Sequence, residues 1–199
     1  RSLRLKSPCH EEESVRCYAL GLVRDRLLDM SAPSLRLLFS HPAHFVSLGL
    51  GSGLAPKAPG TFGSLAAWGL YALVENLGLY GLPGWLPGAW ILAAFLIGVA
   101  CIGKTGVALG EVDHGAIVWD EFVAVWLVLW IVPATFWWQA TAVLCFRFFD
   151  ILKPWPVGWV DAHLKNGFGV MLDDALAAGY TLLFLMGTSW LAMHFLVGR

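Results

Sequence analysis

Residues 111–121, EVDHGAIVWDE, run without a break into FVAVWLVLW at 122–130. Asp120 and Glu121 thus stand directly against nine apolar residues. That junction decides the class of fold. A carboxylate near a bilayer centre costs about 2.5–3.5 kcal/mol even on lenient insertion scales, so membrane-embedded chains keep ionisable groups where they have a use. The same arrangement recurs in GLAPKAPGTFGS (53–64), in FRFFDILKPWP (146–156) and around Asp173-Asp174. Each is a compact polar knot between long apolar runs.

Outward from the knots the chain is apolar. Of its 199 residues, 58% are hydrophobic, only 14% are charged and eleven are Trp; the mean hydropathy is +0.67. A soluble domain carries about 25% charged residues, so the expectation is an integral membrane protein. A net charge of −1 gives no polybasic surface for nucleic acid. The length suits one domain, read as a membrane domain over 41–199 behind an N-terminal arm over 1–40. Within the arm, Val15, Tyr18, Leu22 and Leu27 fit a short amphipathic helix, and no signal-peptide pattern is evident. Cys9, Cys17, Cys101 and Cys145 have no C-x-x-C spacing, which argues against a thiolate metal site.

Apolar runs occupy roughly 62–82, 86–103, 122–136, 137–152 and 175–197. A spanning helix needs about 20 residues. The middle pair are short and divide near Pro133, so the runs allow four or five helices, and the fold class is an all-α polytopic helical membrane protein. The short alternating period of a membrane barrel is absent. The connections around residues 83–88 and 133–136 carry no charge, whereas the arm, Lys57, Lys104, Lys153 and Lys165 fall on the other side of a five-helix path. The positive-inside tendency makes that side cytoplasmic, and all four knots then meet at one membrane face.

The knots suit a metal-and-phosphate site. In 53–64, free backbone N–H groups at a helix start attract anions; Lys57 adds charge, Thr61 is the expected N-cap, and Thr61 and Ser64 add hydroxyls. A capped helix after a turn accounts for the same residues. Asp113, Asp120 and Glu121 offer the hard oxygens that Mg²⁺ prefers, although acids also favour a helix start for its dipole. His114 reads as an ordinary loop histidine. Arg147, Asp150 and Lys153 follow at helical spacing; they form either a structural ion pair or a set with Asp150 on metal and the cations on phosphate. Asp173 and Asp174 repel each other and call for a compensating cation, or one of them caps a helix. Asp161 and His163 read as loop or interface residues.

Four segments in this order carry a family resemblance: GSGLAPKAPGTFGSLAA (51–67), DHGAIVWDE (113–121), FRFFDILKPWPV (146–157) and GFGVMLDDALAAGY (167–180). The chain resembles bacterial phosphatidylglycerophosphatase A from about Leu48 to the last helix, with Asn166-Gly167 where a Gly-Gly pair is expected. The resemblance implies a Mg²⁺-dependent inner-membrane enzyme that hydrolyses phosphatidylglycerophosphate to phosphatidylglycerol and phosphate at the cytoplasmic face, in glycerophospholipid biosynthesis. It implies no nucleic-acid or protein partner. Carried over by motif, the catalytic candidates are Asp113, Asp120, Asp150 and Asp174. Substrate contacts fall to Lys57, Thr61, Ser64, Arg147 and Lys153, and the metal to Asp120, Glu121, Asp150, Asp173 and Asp174. Attack by water or by a carboxylate both remain open, with water favoured because the D-x-D-x-[TV] signature is absent. The competing readings are a lipid phosphatase for another phosphomonoester such as phosphatidic acid, and a small transporter. A transporter would place charges mid-helix along a path between both faces. The CDP-alcohol phosphotransferase pattern D-G-x2-A-R is missing.

Overall fold

The computed structural model describes residues 33–77 and 84–197. The amphipathic stretch expected within the arm lies outside them, as do Cys9 and Cys17. Among the described residues every regular element is helical. Two one-and-a-half-turn helices, α1 (Leu35–Ser40) and α2 (Pro42–Ser47), lead through a 3₁₀ stretch (Gly49–Leu54) into α3 (Pro59–Asn76). Then follow α4 (Trp85–Leu109), α5 (Trp119–Ile131), α6 (Phe136–Leu152), the short α7 (Val157–His163) and α8 (Gly167–Val197).

The run that divides at Pro133 forms two helices, not one kinked rod. Val132 leaves α5 in an extended conformation, as proline disfavours helical backbone in the residue before it. Thr135 is extended as well and precedes α6. Two helices, Trp85–Leu109 and Gly167–Phe195, are long and apolar enough to cross a membrane by length and composition. α5 has 13 residues, about 20 Å at ~1.5 Å per residue. It is instead the hub of the bundle. α3, α4, α6 and α8 all pack on it, and Phe122, Val125, Val128 and Leu129 on it are almost wholly buried.

Contacts fix the direction of each helix. Gly60 near the start of α3 faces Glu121 at the start of α5, and Tyr71 further along α3 donates to the Leu129 carbonyl at 3.1 Å. These two helices therefore run parallel. On α4, Gly88 meets Trp130 at the far end of α5, and the Ala94 carbonyl accepts from Trp119 Nε1 at 3.1 Å, so α4 runs back. Arg147 late in α6 reaches Glu121, so α6 also returns. Gly167 opens α8 against the Val99 carbonyl of α4. The starts of α3, α5 and α8 and the ends of α4 and α6 consequently gather at one end of the bundle.

Two helix starts differ from expectation. Ala58, in the left-handed region, is the N-cap of α3, with Pro59 in the first turn. Thr61 lies inside the helix and is not its cap, because proline, with φ preset and no N–H to satisfy, already suits the first helical position. α8 begins at Gly167, ahead of the apolar run. Asp173 and Asp174 are therefore buried within a helix and do not cap it. The cause is steric: a Cβ at Gly167 would strike the α4 backbone and one at Gly169 the Leu164 carbonyl, so only glycine lets the first turn of α8 pass there.

At the opposite end, buried Gln139 of α6 accepts from Trp68 Nε1 at 2.8 Å and donates to Glu75 Oε2 at 3.0 Å, joining α6 to α3. Removing a buried polar bridge leaves its partners unsatisfied, at about 1–3 kcal/mol. Gln139→Ala is expected to lower stability by about that amount, read as a lower melting temperature in detergent with unchanged helical circular dichroism before the transition.

Candidate active site

Five carboxylates meet at the gathered helix ends. Asp120 and Glu121 occupy the first turn of α5, where the helix dipole favours negative charge. Asp150 lies in the last turn of α6, and Asp173 and Asp174 in the second turn of α8. Asp120 lies within electrostatic reach of Glu121, Asp173 and Asp150, and Asp174 within reach of all four others. Asp120, Glu121, Asp173 and Asp174 are buried.

Two cations answer them. Arg147 Nη1 donates to Asp150 Oδ2 at 2.5 Å and to Glu121 Oε1 at 3.2 Å. Lys153 Nζ lies 3.0 Å from both Asp173 Oδ2 and Asp161 Oδ1. The helical spacing from Asp150 to Lys153 does not produce a pair, because Lys153 ends α6 in a left-handed conformation that turns it off the helix face. Burial weighs against the Lys153 ammonium, yet Asp173 and Asp161 hold its pKa above the ordinary lysine range. Burial likewise pushes Asp161 upward, and the lysines Lys153 and Lys165 outweigh it, leaving the carboxyl below its usual range.

The charges remain unbalanced. Asp120 Oδ1, Glu121 Oε2 and Asp174 Oδ2 are buried with no hydrogen-bond partner, and so is Arg147 Nε. Buried ions without partners are costly, and three unsatisfied oxygens from two helices are the chemistry a hard divalent cation satisfies. Among the described residues no three His, Cys, Asp or Glu side chains form a ready metal cage. Mg²⁺ does not require one: it keeps several waters and binds through one or two carboxylates together with substrate phosphate. The donor set therefore fits the ion.

The other expected site residues lie around this cluster. Lys57 is exposed in the bend before α3, and Thr61 is exposed on its first turn. Ser64 is buried, its hydroxyl donating to the Gly60 carbonyl at 2.9 Å. Asp113 lies in the turns before α5, which starts only at Trp119, and pairs with Lys165 at 3.2 Å. His114 Nδ1 accepts the Ala116 N–H at 3.1 Å, a local loop bond. Sequence reasoning set Asp161 aside. Its one available signal was the four-residue spacing to Lys165; Lys165 lies just past the end of α7, and the two form a 3.6 Å ion pair.

Glycines bring the helix starts together. A Cβ at Gly60 would collide with Glu121 Oε1 and lie 2.9–3.0 Å from the Arg147 guanidinium. One at Gly63 would lie 2.8 Å from Val118 Cβ. The start of α5 is itself pinned by the Val118 N–H, which donates to the Ser47 carbonyl at 2.9 Å.

A family model described as Phosphatidylglycerophosphatase A matches residues 45–189. The chain belongs to the phosphatidylglycerophosphatase A family. It is accordingly an enzyme, a phosphoric monoester hydrolase. The Haemophilus influenzae phosphatidylglycerophosphatase A is 43% identical over 159 residues, covering 79% of this chain and 95% of that protein. The Escherichia coli phosphatidylglycerophosphatase A is 38% identical over 169 residues, covering 78% and 89%. A Bacteroides thetaiotaomicron relative, provisionally named a phosphatidylinositol-3-phosphatase, is 36% identical over 152 residues, covering 73% and 92%. No solved structure matches the chain significantly. The family match begins just before the 3₁₀ stretch and ends within α8, so it takes in every knot.

Displacing reacting groups by about 1 Å costs roughly 10²-fold in rate. Gly60→Ala, which must push Glu121 or Arg147 aside, is expected to lower turnover by about that factor while the chain elutes and melts as the native protein does. Full activity in this variant would show that the start of α3 does not set the geometry of the cluster.

Proposed function

We propose that this enzyme hydrolyses the terminal phosphomonoester of phosphatidylglycerophosphate to phosphatidylglycerol and inorganic phosphate, with Mg²⁺, at the cytoplasmic face of the bacterial inner membrane. The observation that carries the reading is the charge imbalance at the helix ends: five carboxylates gathered around two cations, with three of the acid oxygens buried and unpartnered. Two relatives named phosphatidylglycerophosphatase A support the substrate. The Bacteroides relative's name supports a second lipid phosphomonoester as the alternative.

The membrane placement rests on the two long apolar helices and on the direction of the rest. With α3, α5 and α6 also crossing, the bundle makes five passes, and Lys57, Lys104, Lys153 and Lys165 sit at the same end as the site. The positive-inside tendency makes that end cytoplasmic. A pass as short as α5 is tolerated where protein and not lipid surrounds it.

The one or two carboxylates that would hold Mg²⁺ come from Asp120, Glu121, Asp150, Asp173 and Asp174, with the unpartnered oxygens of Asp120, Glu121 and Asp174 the readiest donors. When bound, the ion supplies Lewis-acid neutralisation of the charge that builds on the phosphoryl oxygens. The remaining work falls to the chain. Phosphoryl transfer needs chiefly positioning and charge stabilisation. Arg147 Nη1 serves Glu121 and Asp150, while its buried Nε is left as an unused donor. A guanidinium can grip two phosphate oxygens in one plane. Lys153 adds a point charge at the rim. Water forms the new bond to phosphorus, and the bond from phosphorus to the glycerol oxygen breaks with its electron pair. A carboxylate of the cluster takes the proton from water, and the glycerol oxygen regains one. Burial of Asp120, Glu121, Asp173 and Asp174 limits screening of these charges by bulk water.

Purified enzyme in detergent is expected to release phosphate from phosphatidylglycerophosphate faster than from phosphatidic acid or phosphatidylinositol 3-phosphate. Chelation should abolish the release and added Mg²⁺ restore it. Preference for another lipid phosphomonoester would move the chain to the alternative.

Asp120→Asn and Asp174→Asn are each expected to lower kcat by about 10²-fold or more while retaining native melting behaviour. Single turnover in ¹⁸O-labelled water reads the nucleophile: label in phosphate alone supports attack by water, and label in an enzyme carboxylate supports a covalent route.

A further inference from the structure

Asp161 lies on α7 at the edge of the carboxylate cluster, its Oδ1 3.0 Å from Lys153 Nζ and 3.6 Å from Lys165 Nζ. Lys165 in turn reaches Asp113 Oδ2 at 3.2 Å. The contact is built into the backbone. A Cβ at Gly158 would lie 2.8 Å from the Lys153 carbonyl oxygen, so α7 folds directly over the end of α6. The Lys153 Nζ therefore stands between two acids of different standing. Asp173 belongs to the buried cluster, whereas Asp161 is partly exposed and lies at its edge.

We infer that Asp161 is a positioning residue that holds the Lys153 ammonium at the rim of the site and so sets the affinity for the phosphate group. The inference rests on the phosphatase reading above. With Asp161 present, Lys153 is shared, and it keeps a counterion when Asp173 is engaged elsewhere. With Asp161 neutralised, Lys153 has Asp173 as its one close acid. The lysine is then drawn inward, away from an incoming phosphate, and Asp173 is tied up by it. The chemistry recognised at this rim is a phosphate dianion, whether on a lipid headgroup or free in solution. A charge-assisted contact to such a group is worth more than a neutral one, so mispositioning the lysine weakens binding more than it slows the chemical step.

Inorganic phosphate binding in the presence of Mg²⁺, followed by calorimetry on detergent-solubilised protein, tests this without relying on turnover. Asp161→Asn is expected to weaken phosphate binding about tenfold, and Asp161→Glu to recover most of it. Asp161→Ser is a second neutral variant and stands in if the Asn variant does not fold. In the lipid assay the neutral variants should raise KM by a similar factor and leave kcat within about threefold, the mark of lost ground-state binding. Native phosphate affinity in a folded neutral variant overturns the inference. So does a Glu variant as weak as Asn, or a loss confined to kcat. If the native chain binds phosphate and loses it on Asp161→Asn but hydrolyses no lipid phosphomonoester, the proposed reaction fails while the role of Asp161 stands.

Discussion

The structure depends on keeping like charges together in a place that water barely reaches. Asp120, Glu121, Asp173 and Asp174 are buried at the ends of two helices, and the strongest counterweight inside is the guanidinium of Arg147, which bridges Glu121 and Asp150. A buried ion that loses its partner costs several kcal/mol, so this arrangement tolerates little displacement. It explains why α5 is short and packed on all sides over most of its length, with only Trp130 and Ile131 at its far end exposed. A longer, lipid-facing helix would not hold its first turn between α3, α6 and α8. It also explains the glycines at residues 60 and 63, where any side chain would occupy the space the acids and Arg147 use.

Much of this was legible in the chain. Acids abutting FVAVWLVLW announced a buried polar site, because apolar runs carry such groups only for a purpose. The alternation of the five apolar runs implied that neighbouring helices run antiparallel, and contact pairs such as Gly60 with Glu121 give the same relative directions. The four motifs named the family, and its match over residues 45–189 agrees. What stayed hidden depended on three-dimensional closeness. The run starting at Ala175 disguised a helix that begins at Gly167; Asn166, whose Oδ1 accepts the Gly169 N–H at 2.8 Å, is a favoured N-cap residue, but Gly167 and Gly169 follow it closely and mask the helical pattern. Thr61 looked like a cap because hydroxyls favour that position, but Pro59 takes the first turn. Asp161 gave almost no signal, because its partner Lys153 leaves the regular helix just where spacing rules cease to apply.

The two ends of the bundle differ in kind. At the far end, the Gln139 amide accepts from the Trp68 indole and donates to the Glu75 carboxylate, and its oxygen and nitrogen both have partners. At the site end, donors and acceptors are left over. Sequences tend to satisfy buried polar groups wherever structure alone is at stake. The contrast locates function at the end where that rule is broken.

α7 carries Trp159 stacked on His163 at 4.7 Å, and beside it Trp155, Ile151, Leu152 and Phe148 are exposed. Aromatic and aliphatic side chains of this sort settle at the boundary between headgroups and acyl tails. On the proposed reading, the rim of the site is therefore level with the headgroup layer, and a lipid arrives by sliding sideways with its tails still among its neighbours. Catalysis of that kind is two-dimensional. Its speed answers to how crowded the leaflet is with substrate, so diluting the bilayer with inert lipid slows it even when the amount of substrate per millilitre is held constant.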